Sequence, residues 1–510
     1  MVGMVSSAQD LLEGLDEAQR AAASAVDGPV RIVAVAGAGK TRTVTRRIAY
    51  ACATGAWNPA RTLAVTFSVK AAAEMRSRLT ALDIGGGSEG GVGGQVKAAT
   101  FHSAALHQLR KVWPDICDAP LPRLSSEPRD LVSRSIRRVE SSDRFSDLEV
   151  RDVLAEINWA KVSLVAPSDY PRVCAATHRQ PPAALEVQRF CDVYTAYEQE
   201  KTSRGEIDFN DILLIVCHIL DDFEEAAATI RSSIGWLTVD EYQDISPLQH
   251  RLMTAWLNGN RNVCVVGDPA QTIYSFAGAS SYDLMAFGDE FAPLAADIDL
   301  DADYRSTPPI VSCANRVLSK AANREAYLKL RPVREAGRRV VKTAYEDDRQ
   351  EAQGVAAKIS RMIAKGVDPG DVAILTRINA QQQMLCRALK DHGLRYRVRR
   401  ETSWQDGELD EDAQARLAML ETMGLGAATH GVTISTIHAA KGLEFKHVFI
   451  VGCSEGLVPF GSPGPGDELE EERRLMYVGV TRAEDTLELS YGRRKDSMGG
   501  VMRSPSRFLV

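Results

Sequence analysis

The chain has 510 residues, more than a single hydrophobic core supports, so we expect two or more domains. Apolar residues make up 45% and charged residues 25% of the sequence, as in ordinary globular proteins, and no apolar run approaches the roughly 18 residues that a membrane-spanning helix needs. The net charge of −7 gives no overall indication of nucleic-acid binding, but it does not exclude a local basic groove.

Nine cysteines lie between Cys52 and Cys453 without a C-x-x-C pair or a Cys/His cluster. We therefore expect reduced thiols and neither a zinc site nor an iron–sulfur cluster. The first residues, Met1 to Glu13, lack the basic and apolar regions of a signal peptide, which predicts a cytoplasmic protein that does not associate with membranes.

The first predicted strand, Val30 to Val33, is followed by a glycine-containing loop and then by a helix. The loop, residues 34–41, has the sequence Ala-Val-Ala-Gly-Ala-Gly-Lys-Thr and resembles a phosphate-binding loop, although Ala34 stands where the pattern has glycine. Its backbone N–H groups would surround phosphates, Lys40 would add a positive charge, and the Thr41 hydroxyl would bind Mg²⁺. On its own, the loop could also be a glycine turn followed by an exposed lysine.

The next segments alternate between strand and helix. A strand over Leu63 to Phe67 precedes a helix over Lys70 to Leu79, and another strand ends at residues 99–102. Helical periodicity with proline-rich breaks then predicts an inserted helical subdomain over residues 106–204. Strands resume at Trp236 to Val239 and at Val263 to Val266.

Two carboxylates, Asp240 and Glu241, come directly after a predicted buried strand. At the carboxyl edge of a parallel sheet they would lie beside the phosphate loop, one holding Mg²⁺ and the other activating water. Alone, such a pair is more often a helix N-cap. Together with Lys40, it predicts an ATPase site.

A second α/β set begins near residue 301, with strands over Val372–Leu375, Val432–Ser435 and Val448–Val451. We expect ATP to bind in the cleft between the two α/β domains. The predicted boundaries are 1–105 with 205–300 for the first domain, 106–204 for the helical insertion, 301–400 with 430–510 for the second domain, and 401–429 for a short connection.

Further motifs follow one another along nearly the whole chain. They are Leu15–Arg20, Thr66–Met75, Thr100–Ser103, Ile207–Asp211, Asp240–Gln249, Gly267–Ala279, Tyr304–Ser306, Thr436–Phe445 and Glu471–Ala483. With these motifs the chain resembles superfamily 1A DNA helicases of the UvrD/Rep/PcrA group. The resemblance implies an α/β fold with two tandem RecA-like P-loop domains, named 1A and 2A, and a helical insertion, named 1B, in the first. ATP and Mg²⁺ are the cofactors that it implies.

The resemblance also assigns residues to ATP chemistry. The catalytic set is Lys40, Asp240, Glu241, Gln271, Arg305 and Arg482. The ATP-binding set is Gln19, Ala36, Gly37, Ala38, Gly39, Lys40, Thr41, Arg42, Tyr304, Arg305, Glu444 and Arg482. Glu241 would orient the attacking water, while Thr41 and Asp240 would hold Mg²⁺. Arg305 and Arg482 lie in the second half of the chain, so closure of the domains would complete the site.

The remaining ATP residues have distinct expected roles. Gln19 would recognise adenine, which Arg42 and Tyr304 would sandwich, and Gln271 would sense the γ-phosphate and couple it to DNA. The alternative for the two arginines of the second half is an ion pair with a neighbouring carboxylate such as Glu472.

Translocation along a single strand needs aromatic platforms and phosphate contacts. The set that the resemblance assigns to DNA is Phe67, Phe101, His102, Tyr274, Phe276, Arg377, Asn379, Thr436 and His438. Each aromatic residue of this set, considered alone, is more often a core residue.

Two departures from the family pattern affect the expected function. Ala277 stands where arginine is usual and Phe276 where tryptophan is common, so a phosphate contact and some stacking area are expected to be lost. Residues 401–429 replace a large helical subdomain, named 2B in the family, with a short remnant that includes the acidic segment Glu408–Asp412. We expect the arm that contacts duplex DNA to be absent.

The sequence thus predicts an ATP-dependent 3′–5′ DNA helicase that acts on single-stranded DNA and its junctions with duplex, in repair, recombination or replication. It is expected to be a monomer or weak dimer associated with the nucleoid. One alternative is a DNA-stimulated translocase that needs a partner to unwind duplex. A nucleotide-gated scaffold without turnover and an RNA substrate are less favoured.

Overall fold

The computed structural model describes residues 8–82, 95–140, 145–275, 278–399, 430–495 and 502–509. Its α-helices are α1 Glu17–Ser24, α2 Lys40–Ala53, α3 Val69–Ala81, α4 Phe101–Ile116, α5 Pro128–Glu140, α6 Asp147–Val162, α7 Tyr170–Thr177, α8 Val187–Ser203, α9 Phe209–Asp222, α10 Glu224–Ser232, α11 Pro247–Leu257, α12 Tyr282–Glu290, α13 Pro308–Leu318, α14 Asp348–Ala364, α15 Gln382–Asp391 and α16 Asp467–Val480. Its strands are β1 Val30–Ala34, β2 Thr62–Thr66, β3 Lys97–Thr100, β4 Arg123–Leu124, β5 Glu206–Ile207, β6 Trp236–Val239, β7 Val263–Gly267, β8 Ala296–Leu300, β9 Ala302–Asp303, β10 Arg331–Pro332, β11 Val341–Tyr345, β12 Val372–Thr376, β13 Tyr396–Val398, β14 Val432–Thr436, β15 Phe445–Ile450 and β16 Ala483–Gly492.

Two parallel sheets organise the chain. The first has the order β3-β2-β6-β7-β1-β8, and its register pairs Val30 with Cys264 and Leu63 with Leu237. The second has the order β11-β16-β15-β12-β14-β13. The inner strands β2, β7, β12 and β14 are buried along their whole length, as expected where helices cover both faces of a parallel sheet. The predicted fold of two tandem α/β domains with parallel sheets is confirmed.

Helix caps decide where several loops become helices. Thr100 caps α4, since its hydroxyl accepts a hydrogen bond from Ser103 N at 3.2 Å, so Phe101 and His102 begin a helix. The expectation that a strand ends within residues 99–102 therefore holds only to Thr100. Ser68 caps α3 in the same way, with its hydroxyl 3.1 Å from Ala71 N.

The helical insertion has its own core. Helices α5 to α8 enclose a cluster of buried residues that includes Leu131, Ile157 and Phe190. Helix α4 instead packs Ala105 and Leu109 into the core of the first domain. The predicted boundary between residues 105 and 106 thus falls inside a helix whose apolar face belongs to the first domain.

A buried ionic cluster joins the insertion to the first domain. Lys161 and Lys201, both from the insertion, each contact the carboxylates of Glu198, Asp208 and Asp211. The two lysines hold the pKa of Asp208 well below its usual range, although burial acts in the opposite direction. These three carboxylates lie close enough together for a metal ion, but the two ammonium groups already balance two of their three negative charges.

A second contact ties the insertion to a loop that follows β7. Gly278 has a φ of +88°, and a Cβ at this position would lie 2.7 Å from Val162 Cγ2 at the end of α6. The preceding predicted residues, Phe276 and Ala277, lie outside the described residues, as does the 401–429 connection.

The two sheets share one continuous hydrophobic cluster. It runs from Val30 and Ile32 in the first sheet through Ile310 in α13 to Ile450 and Val478 in the second domain. The domains therefore meet through packed apolar side chains as well as polar ones. Among the described residues, every helix is too short or too polar to cross a membrane.

Candidate active site

Residues 34–41, which resemble a phosphate-binding loop and are named the phosphate-like loop, connect β1 to the first turn of α2. The glycines of this loop have backbone angles that other residues adopt at a cost. Gly37 and Gly39 have φ values of +77° and +74°, and Lys40 begins α2. A Cβ on Gly37 would lie only 2.0 Å from Asp303 Oδ1, and Gly37 O accepts a hydrogen bond from Tyr304 N at 3.0 Å. The loop is therefore shaped to fit the segment that starts the second domain.

Lys40 extends into a group of carboxylates. Its Nζ is buried, makes no hydrogen bond to the described residues, and lies 3.5 Å from Glu241 Oε1. Burial by itself would lower the pKa of Lys40, but Glu241, Asp268 and Asp240 outweigh it and raise the value. A buried ammonium with unused donors is suited to an anionic ligand such as a phosphate.

Asp240 and Glu241 follow β6 at the same sheet edge as the loop after β1. Glu241 has left-handed backbone angles, φ +54° and ψ +41°, a strained state typical of functional positions, and its N–H donates to Asp240 Oδ1 at 2.9 Å. Burial and the charge of Glu241 raise the pKa of Asp240, while Lys40 and Lys441 lower that of Glu241 against the effect of burial.

This oxygen-rich set fits Mg²⁺. Asp240 is buried, and Thr41 stands next to Lys40 in the first turn of α2. A carboxylate and a hydroxyl are ligands that Mg²⁺ accepts together with phosphate oxygens and water. The residues present are thus compatible with the metal that the sequence predicts.

Gln271 lies in the turn after β7 and is connected to the same group. Its Nε2 donates to Asp268 Oδ2 at 2.7 Å, and Asp268 N donates to Gln243 Oε1 at 3.0 Å. Gln243 Nε2 in turn donates to Glu241 Oε2 at 2.5 Å. Asp268 and Gln243 were not among the predicted site residues, although both lie within the motifs.

The second domain brings two arginines to this cleft. Arg305 pairs with Glu444, another residue of the predicted ATP-binding set, at 2.6 Å. Arg482 is buried and donates to the carbonyls of Val478 and Leu443 and to the Thr481 hydroxyl. Burial and the nearby Arg305 lower the pKa of Arg482 to about 10. A buried guanidinium whose hydrogen-bond acceptors among the described residues are neutral oxygens retains its charge for an anionic ligand.

The side chains predicted to bind adenine are close to one another. Gln19 forms a capping box with Asp16 and donates from Nε2 to Ala38 O at 2.9 Å. Tyr304, which is 40% exposed, donates to Asp16. Arg42 Nη2 donates to Gly14 O at 3.0 Å. These residues form one wall beside the phosphate-like loop.

Several contacts between the domains involve residues that the sequence analysis did not select. Lys441 Nζ lies 2.5 Å from Asp244 Oδ2 and 2.6 Å from Gln271 O. From α16, Glu471 accepts a hydrogen bond from Ser275 N at 3.1 Å and Arg474 donates to Thr272 O at 2.6 Å. The second domain thus holds both ends of the 271–275 loop.

The predicted DNA residues of this loop and its neighbours form an aromatic surface. The rings of Phe67 and Tyr274 stack with centroids 5.4 Å apart and planes 19° apart. The Tyr274 hydroxyl donates to His438 O at 3.3 Å, and its ring lies 6.4 Å from that of His438. Burial, Arg377 and Lys441 lower the pKa of His438 to about 3, so its ring is neutral near pH 7.

On the second domain, Arg377 forms a bidentate ion pair with Glu472, whose closest distance is 2.6 Å. The guanidinium also lies 5.1 Å from the centroid of Phe460, which is 47% exposed. Glu472 accepts a further hydrogen bond from Phe460 N at 2.9 Å. Phe460 was missed because it lies outside the recognised motifs, although an aromatic residue after proline in a glycine-rich loop is a usable signal.

Not every predicted DNA residue faces this surface. Phe101 is 1% exposed and stacks on Trp256 in the core, so its ring does not belong to this surface in the structure. His102 is also buried, stacking on Phe209 at 3.8 Å with its Nε2 unbonded in the described residues. Thr436 accepts a hydrogen bond from Ala439 N, whereas Asn379 is exposed.

Comparisons with known proteins give matches over most of the chain. A family model described as the UvrD/REP helicase N-terminal domain matches residues 15–292, and one described as the UvrD-like helicase C-terminal domain matches residues 298–408 and 413–494. The ATP-dependent DNA helicase UvrD2 of Mycobacterium tuberculosis is 39% identical, over 99% of this chain and 82% of the relative. The ATP-dependent DNA helicase PcrA of Bacillus subtilis is 26% identical, over 98% of this chain and 86% of the relative.

Proposed function

The chain belongs to the UvrD/REP helicase family, and on that basis we propose that it is an ATP-dependent DNA helicase. We propose further that it moves 3′ to 5′ along single-stranded DNA and acts in DNA repair, recombination or replication. The observation that carries the proposal is the convergence of Lys40, Glu241 and Gln271 from the first domain with Arg305 and Arg482 from the second.

In the proposed reaction, each residue acts on the bound nucleotide. Glu241 orients the attacking water, and its low pKa keeps it able to accept a hydrogen bond from that water. Lys40, Arg305 and Arg482 balance the charge that spreads over the γ-phosphate oxygens. Mg²⁺, held by Thr41 and Asp240, would supply a Lewis acid that polarises the phosphates.

The adenine end of the nucleotide would lie against Gln19, Arg42 and Tyr304. The side-chain amide of Gln19 matches the donor and acceptor pair of adenine, and the exposed Tyr304 ring offers a stacking face. Their contacts with one another and with the loop hold this wall in place before the nucleotide binds.

The DNA track is proposed to follow the aromatic surface of Phe67 and Tyr274 and to continue to Phe460 on the second domain. Base stacking on such rings does not depend on sequence, which suits a translocating enzyme. Tyr274 and Gln271 belong to one loop that the second domain holds at both ends. A change in the separation of the domains would therefore move the stacked rings of Phe67 and Tyr274 relative to each other.

The proposal is tested by strand displacement on matched 3′-tailed and 5′-tailed duplexes, with phosphate release measured in parallel. Unwinding of the 3′-tailed substrate alone is expected, and Glu241→Gln should abolish both unwinding and turnover. Glu346→Gln, which changes a glutamate that is two-thirds exposed, is the matched control and should behave like the parent.

Each other outcome has a defined meaning. If DNA stimulates phosphate release but neither substrate is unwound, the protein is a translocase that needs a partner to unwind duplex, and the helicase proposal fails. Unwinding from the 5′ tail would overturn the polarity. Turnover that DNA does not stimulate would refute the assignment.

A further inference from the structure

Tyr477 reaches from the second domain into the phosphate-like loop of the first. It lies in α16, and its side chain is fully buried. Its hydroxyl accepts a hydrogen bond from Ala36 N at 3.4 Å and donates one to Asp268 Oδ2 at 3.3 Å. A single hydroxyl of the second domain therefore touches both the loop after β1 and the acidic turn after β7.

The bond to Asp268 places this hydroxyl in a longer network. Asp268 Oδ2 also accepts from Gln271 Nε2, and Asp268 N donates to Gln243. Because Gln243 donates to Glu241, hydrogen bonds connect Tyr477 with the residue proposed to orient water. The network is buried, where each bond restricts its neighbours more strongly than at the surface.

The hydroxyl must be neutral to accept from one group and donate to another. Burial raises the pKa of Tyr477 well above its usual range, and the charges of Asp268 and Asp303 raise it further. The Ala36 N–H and the charge of Arg482 act in the opposite direction. The phenol therefore stays protonated at physiological pH and makes both bonds at once.

We infer that Tyr477 is a positioning residue for ATP hydrolysis. Its hydroxyl fixes the positions of the phosphate-like loop and of the Asp268–Gln271 turn relative to the second domain. The inference rests on the proposed ATPase function. Without the hydroxyl, Ala36 N–H loses its hydrogen-bond partner in a buried position, and of the described residues Gln271 alone still donates to Asp268 Oδ2. The ring would still fill its place, so the domains would still pack.

The test is Tyr477→Phe in the full chain, which removes one oxygen atom. Tyr170→Phe is the matched control, because Tyr170 is also fully buried and also donates to a carboxylate, Glu156, at 2.7 Å, but lies in the helical insertion. For Tyr477→Phe, kcat of DNA-stimulated hydrolysis should fall roughly tenfold, while KM for ATP changes by less than about twofold. Tyr170→Phe should retain the parent kcat.

A second readout does not depend on turnover. Amide hydrogen exchange of the peptide that contains residues 35–39 should be faster in Tyr477→Phe than in the parent, and unchanged in Tyr170→Phe. If the parent shows no turnover that DNA stimulates, the proposed function fails, and exchange alone then decides whether the hydroxyl holds the loop.

Three results would overturn the inference. One is unchanged exchange at the loop in Tyr477→Phe. Another is a kcat that stays within about twofold of the parent. The third is an equal fall of kcat in both variants together with equal losses of thermal stability, which would show a general cost of deleting a buried hydroxyl.

Discussion

Replacing Gly37 with alanine should separate the two domains at the nucleotide site. Alanine at a φ of +77° costs about 1–2 kcal/mol. Its Cβ would also lie 2.0 Å from Asp303 Oδ1, so Asp303 must move away. That oxygen accepts hydrogen bonds from Arg305 N at 2.8 Å and Ser306 N at 3.0 Å. Losing both costs about 3 kcal/mol more, since bonds to a charged group contribute about 1.5 kcal/mol or more each.

The backbone cost applies whether or not the domains are closed, so the closed site alone carries the roughly 3 kcal/mol of the Asp303 contact, which corresponds to about two orders of magnitude in its population at 1.4 kcal/mol for each factor of ten. We expect kcat/KM for ATP, measured with saturating single-stranded DNA, to fall by about 100-fold. Gly55→Ala is the control, because Gly55 has a φ of +74° but nothing within 4 Å of a Cβ. It carries the backbone cost alone, so its turnover should stay close to that of the parent. Similar losses of turnover in both variants would refute the argument from the Asp303 contact.

Three further outcomes are expected. Lys161→Met should lower the free energy of unfolding in urea by about 3–5 kcal/mol, because it leaves Lys201 alone to balance the buried carboxylates of Asp208 and Asp211; the exposed Arg151→Met should cost under about 1 kcal/mol, and equal costs would contradict this. Phe460→Ala should weaken single-stranded DNA binding about 5- to 100-fold in fluorescence anisotropy, whereas unchanged affinity would exclude Phe460 from the track. Burial raises the pKa of Glu351 from 4.5 to about 7, so the folded state holds the proton longer than the unfolded state. Stability relative to Glu351→Gln should therefore fall by about 3 kcal/mol as pH rises through this window, and a difference independent of pH would refute the assignment.

The parts of the site that lie next to one another in sequence were predictable. The loop that ends in Lys40 and the pair Asp240–Glu241 each follow a recognisable buried strand, and parallel strands bring their carboxyl ends to one edge. The left-handed backbone of Glu241 was not predictable, because it depends on the turn that connects β6 to its neighbours.

Contacts between distant segments escaped the sequence analysis. Phe101 follows an apparent strand end, but the cap at Thr100 turns it into the first helical residue and directs its ring towards Trp256. Phe460 acquires its position from Glu472, which is fixed by α16. Nothing in the sequence marks the start of the insertion, because α4 continues from Phe101 to Ile116 across the predicted boundary.

The joint between the helical insertion and the first domain has a consequence for how the molecule can be rebuilt. Replacing the insertion with a short linker would remove Lys161 and Lys201. It would leave Asp208 and Asp211 as neighbouring buried charges. It would also remove Val162, against which Gly278 packs. To make chimeras between relatives, the insertion should therefore be exchanged together with α9 and the loop after β7. The insertion is one continuous stretch of sequence, but it cannot be exchanged alone because it packs against residues of the first domain.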